Sequence, residues 1–324
     1  MRKILYISLL LLIPAILQAQ ELFPNTEPAS NIPKGTLGVR FFSESYNEVD
    51  RVRNLFAFRL MYGITSRLSV YATPNVSNHH NKDLPPEFPV HNTPNIGVYH
   101  PYLFNGVDFY AKYRFLSYDA QKTHFRLAAY GEYSALNVAH DEGEPSLLDD
   151  NSGYGAGLIA TYLKDHFAVS FTGGIIIPFK YKGDVPDEVQ GLPGLPATVT
   201  YPRAYNYSLS FGYLLYPDKY ENYHQTNWSV YMEFIGKDYG ATQMQVGSIY
   251  YSSPQYSINT QGNRALQANQ YIEAYPGIQA ILRSEIRIDF SVGFPIESKS
   301  YVHFYPVYNF GIQRYFYFRK KHRS

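Results

Sequence analysis

Residues 107–115 read Val107-Asp108-Phe109-Tyr110-Ala111-Lys112-Tyr113-Arg114-Phe115. In an extended chain successive side chains point to opposite faces. Val107, Phe109, Ala111, Tyr113 and Phe115 therefore share one face, and Asp108, Tyr110, Lys112 and Arg114 share the other. A continuous row of large apolar groups has no use for water, so it faces a packed core or a medium of low dielectric. The charged row must meet water or counter-charge.

The same period returns along the chain. Phe125, Leu127, Ala129 and Tyr133 oppose Arg126, Tyr130, Glu132 and Ser134, and Phe56, Phe58, Leu60 and Tyr62 oppose Arg59. Tyr205 to Tyr213, Trp228 to Phe234 and Ile286 to Phe294 alternate likewise. Weaker candidates lie at 36–42, 68–73, 154–162, 167–177, 271–282 and 305–318. Together they make about twelve strands of the length that a tilted strand needs to cross a bilayer. Short connections (63–67, 117–123, 164–166, 216–226, 283–285) fall between long ones (78–105, 137–151, 180–204, 238–268), apart from modest linkers at 43–50 and 297–302. A soluble sandwich or propeller has no reason for that parity, whereas a membrane barrel has short turns on one side and long loops on the other. In hydrocarbon every backbone polar group needs an internal partner, so only helices and closed barrels span. No mature stretch is long and apolar enough for a helical span. The fold class expected is therefore all-β: a transmembrane antiparallel up-and-down barrel of about twelve strands. Gln243–Tyr251 and Gln255–Thr260 form a candidate extra hairpin, which would raise the total to about fourteen.

Composition agrees. Of 324 residues, 33 are Tyr, 21 Phe and none Cys, and only 17% are charged. Aromatic rings suit the two membrane interfaces, and lipid-facing positions reject charge. Zero Cys excludes a disulfide scaffold, a thiolate metal site and a cysteine nucleophile, while a net charge of +1 argues against nucleic acid. Arg2 and Lys3, the apolar run Ile4–Leu17 and Gln18-Ala19-Gln20 have the three parts of a secretory signal. The expected organisation is a signal peptide at 1–19, a short periplasmic segment at 20–34, a barrel at 35–318 and a basic tail at 319–324.

Phe310, Ile312, Phe316 and Phe318 alternate up to a terminal aromatic, with Arg314 on the apolar row. This end of the chain resembles the last strand of Gram-negative outer-membrane β-barrels, and that resemblance implies insertion by the barrel-assembly machinery. The hairpin Leu60-Met61-Tyr62-Gly63-Ile64-Thr65-Ser66-Arg67-Leu68-Ser69-Val70 is similar to hairpins of outer-membrane transporters related to meta-pathway phenol-degradation proteins. That likeness implies passage of small, even aromatic, organic molecules.

The inward rows hold the candidate functional residues: Arg40, Arg59, Lys112, Arg114, Arg126 and Arg287, with Asp108, Glu132, Glu233, Glu273 and Asp289. Such groups are tolerated at membrane depth where they line water or pair with one another. They read either as a polar passage with mild anion preference or as a salt-bridged plug in a narrow barrel. His79, His80, His91 and His100 share one loop, and Asp141, Glu142, Glu144, Asp149 and Asp150 another. Neither has the spacing of a compact metal motif, and solvated loop charge is the simpler account. No G-x-S-x-G element occurs, and Ser77-Asn78-His79 stands in a loop without an identifiable third partner.

The sequence thus points to an exported outer-membrane protein, in contact with lipid and with a small-molecule solute, without a cofactor, metal or catalytic residue. Passive passage is expected, since the segment before Gly35 is too short for a globular plug. A closed structural or partner-binding barrel is the alternative, and an outer-membrane lipid hydrolase a more distant one.

Overall fold

The computed structural model describes residues 23–47, 52–79, 101–137, 143–187, 192–219, 225–252 and 267–318. The expected signal peptide and basic tail lie outside them.

Twelve strands close into one antiparallel barrel. In chain order these are β1 (Thr36–Asn47), β2 (Val52–Gly63), β3 (Leu68–Ser77), β4 (Leu103–Asp119), β5 (Thr123–Leu136), β6 (Gly153–Lys164), β7 (Phe167–Pro178), β10 (Ala204–Tyr216), β11 (Asn227–Tyr239), β14 (Asn269–Leu282), β15 (Ile286–Glu297) and β16 (Val307–Tyr317). Each pairs with its neighbours in sequence around the wall, and β1 meets β16 from Thr36 opposite Tyr317 to Ser45 opposite Tyr308. Closure satisfies every strand edge, as a lipid-exposed sheet requires.

Alternation along β4 follows the expected faces: Phe109, Tyr113 and Phe115 are exposed, while Asp108 and Lys112 are buried. The outer surface carries Phe58, Leu60, Tyr154, Leu158, Phe171, Trp228, Ile278, Phe290 and Ile312, all exposed. An aqueous protein has no stable way to show so continuous an apolar belt, and a bilayer supplies its solvent. Arg314 also points outward, with its guanidinium 5.1 Å from the Phe316 ring. It pairs with Ile286, the first residue after a short turn. That position is at the barrel end, where the cost of a lipid-facing charge falls to ~0–1 kcal/mol.

The tight turns, at residues 64–67, 120–122, 165–166 and 283–285, all lie at the end that holds Thr36 and Tyr317. In the β2–β3 turn, Ile64 N and Thr65 N donate to Leu68 O, and Thr65 Oγ1 accepts from the amides of Arg67 and Leu68.

Four further strands stand outside the wall: β8 (Tyr181–Asp187), β9 (Leu192–Thr200), β12 (Gln243–Val246) and β13 (Ile249–Ser252). They form one sheet in the order β13-β12-β9-β8. The structure breaks the first expected arm, Gln243–Tyr251, into β12 and β13, which pair with each other and do not enlarge the barrel. β12 also pairs with β9, from Gln243 opposite Thr200 to Val246 opposite Ala197. Two long loops are thus tied to each other, and residues 255–260 lie outside the described residues.

Candidate functional site: the barrel lumen

The lumen holds a segment of the chain itself. Residues 23–34, expected as a short periplasmic stretch, turn inward at the tight-turn end. Pro24, Pro28 and Pro33 keep this stretch from joining the sheet, so its polar groups seek the wall's side chains. Glu233 on β11 accepts from Thr26 N at 2.9 Å, Thr26 Oγ1 at 2.8 Å and Asn25 Nδ2 at 2.8 Å. Ala29 N donates to Thr161 Oγ1 on β6, and Ile32 N donates to Ser69 Oγ on β3. Ser30 Oγ accepts from Arg126 Nη1 on β5 at 2.8 Å. Glu27 draws the strongest set: Arg59 Nη1 at 2.7 Å and Lys112 Nζ at 3.0 Å, with Lys112 also donating to Pro28 O at 2.7 Å. Phe23 packs with Ala168 and Tyr231 at one end, and Ile32 with Met61, Tyr71 and Tyr315 at the other.

Gly63 is required by this arrangement. A Cβ there would sit 2.2 Å from Pro33 O and 2.6 Å from Ile32 O, so only glycine lets the segment lie against β2.

The other predicted residues are placed as follows. Arg40 reaches Asp289 at 3.4 Å, and Arg287 reaches the same carboxylate at 3.2 Å. Arg126 also pairs with Asp119 at 2.9 Å. Arg114 lies near the tight turns, where it donates to Ser66 O at 2.9 Å. Asp108 is buried and Glu132 half-buried, and neither has a salt bridge to a cation among the described residues. Glu273 stands near the opposite rim.

Between the segment and that rim runs a tyrosine ladder. Tyr71, Tyr110 and Tyr130, on β3, β4 and β5, stack with centroids 5.3 and 5.1 Å apart. Tyr130 reaches across β6 and β7, where Asn206 Nδ2 on β10 donates to its hydroxyl. Its path is open because Gly174 lacks a Cβ, which would stand 2.0 Å from the Tyr130 oxygen.

The long-loop end is drawn together by two carboxylates. Glu144, from the β5–β6 loop, accepts from Lys237 Nζ at 2.8 Å, Tyr271 OH at 2.5 Å, Ser300 Oγ at 2.9 Å and Tyr301 N at 3.1 Å. Burial pushes its pKa up, but Lys237 and these donors more than offset that, and the group is held below its ordinary value. Glu273 accepts from His303 Nδ1 at 2.7 Å, from Tyr275 OH and from Tyr305 OH. His303 Nε2 meets Glu44 at 3.2 Å. Burial alone would lower the His303 pKa, yet the two carboxylates raise it well above the usual imidazole value.

His79 Nδ1 pairs with Asp149 at 3.0 Å, which ties the start of the β3–β4 loop to the β5–β6 loop. Ser77 Oγ meets the backbone amide of His79 and Asn105. His80, His91, His100, Asp141 and Glu142 lie outside the described residues. Among the described residues no group of three or more His, Asp or Glu gathers to hold a metal ion.

Sequence reasoning missed Glu27, Asn25 and Thr26, and it missed Glu144 and His303 as mouth residues. One signal did exist: the inward rows held one more cation than carboxylate, and Glu27 supplies an acid.

No protein-family model and no curated protein matches the chain. Among solved structures it is similar to the COG4313 outer membrane channel from Pseudomonas putida F1, at 14% identity and TM-score 0.51, covering 91% of this chain and 100% of that one. It also aligns with OprD of Pseudomonas aeruginosa at 10% identity and TM-score 0.33, over 91% of this chain and 98% of that one. None of these matches bears on the likeness drawn from Leu60–Val70. What the COG4313 channel shares with this chain is the fold, an antiparallel β-barrel of the outer-membrane kind.

Proposed function

We propose that the protein is an outer-membrane channel for small solutes, conducting passively when the segment 23–34 shifts from its seat. The observation that carries this reading is what joins opposite walls. Hydrogen bonds from residues 23–34 reach β2, β3, β4, β5, β6, β10 and β11. The wall-to-wall bonds of Arg40 to Asp289 and of Asn206 to Tyr130, by contrast, join nearby strands. A lumen filled by a short peptide on polar contacts can empty without unfolding its wall. One filled by interlocked wall side chains cannot.

Planar-bilayer recording of the full-length protein tests this. Discrete current steps are expected, with higher open fraction when Glu27 is replaced by Gln. A second reading, a closed barrel whose loops bind a partner, is favoured by the Glu144 and His303 contacts that gather the loops over the mouth. No current from folded protein, in wild type or in Glu27→Gln, would decide for it.

A further inference from the structure

Above the tyrosine ladder, on the side away from the segment, one quadrant of the lumen carries acceptor oxygens without donors. Asp108 on β4 lies opposite Ser134 on β5, and Tyr110 lies opposite Glu132. Asn75 on β3 stands one inward position above Thr73, which is opposite Asp108. Asp108 Oδ2, Ser134 Oγ and Asn75 Oδ1 are buried and have no hydrogen-bond partner among the described residues. Ser134 and Asn75 are 0% and 1% exposed. A buried polar atom without a partner costs about 1–3 kcal/mol, so such a set in one place asks for a ligand.

The floor is the ladder. The roof is the β5–β6 loop, held where Asn75 Nδ2 donates to Leu148 O. Glu132 lies over Gly155 on β6, in space that a Cβ there would fill. The cations on the segment's side are already engaged: Lys112 with Glu27 and Pro28 O, and Arg59 with Glu27 and Thr73.

We infer that this quadrant binds a small organic cation bearing N–H donors, an alkylammonium in its simplest form. Asp108 is the carboxylate that such an ammonium meets, and Ser134 Oγ and Asn75 Oδ1 accept its other two N–H groups. Glu132, whose carboxylate leans toward Gly155 on β6, adds a second negative charge beside them. Calcium would need six or more oxygens at ~2.3–2.6 Å, which Asp108, Ser134 and Asn75 do not supply, and no group of three or more carboxylate or imidazole side chains gathers here among the described residues. The ring faces of Tyr110 are covered by Tyr71 and Tyr130, so N–H donation, rather than a cation over a ring, is the recognising contact. As a statement about cargo the inference rests on the channel reading; as a binding site it does not.

Calorimetry on the folded full-length protein in detergent tests it, with ethylammonium, tetramethylammonium, potassium and calcium chlorides at matched ionic strength. Saturable binding of ethylammonium is expected, weakened about tenfold by Asp108→Asn, as expected for a lost charge-assisted bond, and about threefold by Glu132→Gln, which removes a neighbouring charge. Ser134→Ala keeps both charges and should weaken binding about threefold, so the inference stays testable if the charge variants misfold. Equal response to tetramethylammonium, displacement of ethylammonium by calcium, or unchanged binding in these variants would overturn it. Current without saturable binding sinks this inference alone; binding without current sinks the channel reading alone.

Discussion

Replacing Glu27 by Gln should unseat the segment 23–34. Glu27 holds Arg59 at 2.7 Å and Lys112 at 3.0 Å, and Lys112 is fully buried. Removing one partner of a buried ion pair costs ~3–5 kcal/mol, chiefly because the other charge is left uncompensated. Here Arg59 and Glu27 retain 18% and 16% side-chain exposure, and Gln keeps one acceptor oxygen. Lys112 also keeps Pro28 O. A cost of about 2–3 kcal/mol is therefore appropriate, discounted for partial solvent screening. At 1.4 kcal/mol per decade this shifts the seated-to-unseated ratio by roughly 30- to 150-fold.

The remaining anchors, Phe23, Ile32 and the Glu233 contacts, are untouched, so a seated state should persist and the channel should flicker rather than stay open. Bilayer recording reads the open fraction, and resistance of the folded band to heating on gels reports that the barrel is intact. A cross-link supplies the converse: Ala29 and Ala128 pack in one cluster, and the chain has no cysteine of its own. Ala29→Cys with Ala128→Cys, once oxidised, should abolish the current of Glu27→Gln, and reduction should restore it. An unchanged open fraction in folded Glu27→Gln would refute the assignment of the segment as the lumen's occupant.

Gly63→Ala should act like Glu27→Gln by a steric route, because its Cβ meets the Pro33 carbonyl; a raised open fraction with a near-normal folded band checks it. Outward Phe58 is 53% exposed in the lipid belt, so Phe58→Lys should cost ~2–4 kcal/mol near the midplane, seen as a lower midpoint in urea refolding into liposomes. The mouth should loosen at both extremes of pH. The raised pKa of His303 means its contribution is fully present below the unfolded value of 6.5 and is lost as pH rises through the folded one. The depressed pKa of Glu144 means its contribution is present above 4.5 and is lost as pH falls through the folded value. Hydrogen exchange of residues 298–306 should rise in alkali and that of 143–152 in acid, with the alkaline change absent in His303→Gln.

The wall was legible because its information is local. Phe109, Tyr113 and Phe115 facing lipid and Asp108 and Lys112 facing inward are a two-residue period within one strand, and short turns such as 165–166 declare the pairing. The loop sheet was hidden because Pro186 and Pro196 punctuate β8 and β9, and a proline argues against a strand when the sequence alone is read. The segment 23–34 was hidden for a different reason. Its prolines erase any period, and its partners stand far off in sequence, Glu233 being 207 positions from Thr26. Contacts of that range leave no trace in spacing. They leave one only in charge balance, the surplus inward cation that Glu27 answers.

That surplus, read as a sum over the inward rows, suggested a mild anion preference. The structure changes what should be summed. With the segment seated, Arg59 and Lys112 are engaged by Glu27, while Asp108 and Glu132 have no salt bridge among the described residues, so the space above the ladder is acidic. With the segment displaced, Glu27 leaves and two cations return to the passage. Selectivity should therefore depend on the seat: in a potassium chloride gradient, the reversal potential of Glu27→Gln should move toward the chloride limit relative to wild type. Arg59→Gln together with Glu27→Gln should move it back. An identical reversal potential in wild type and Glu27→Gln, despite a higher open fraction, would mean that Arg59 and Lys112 do not face the conducting path, and the lumen's charge would have to be assigned afresh from Arg40, Arg287 and Asp289.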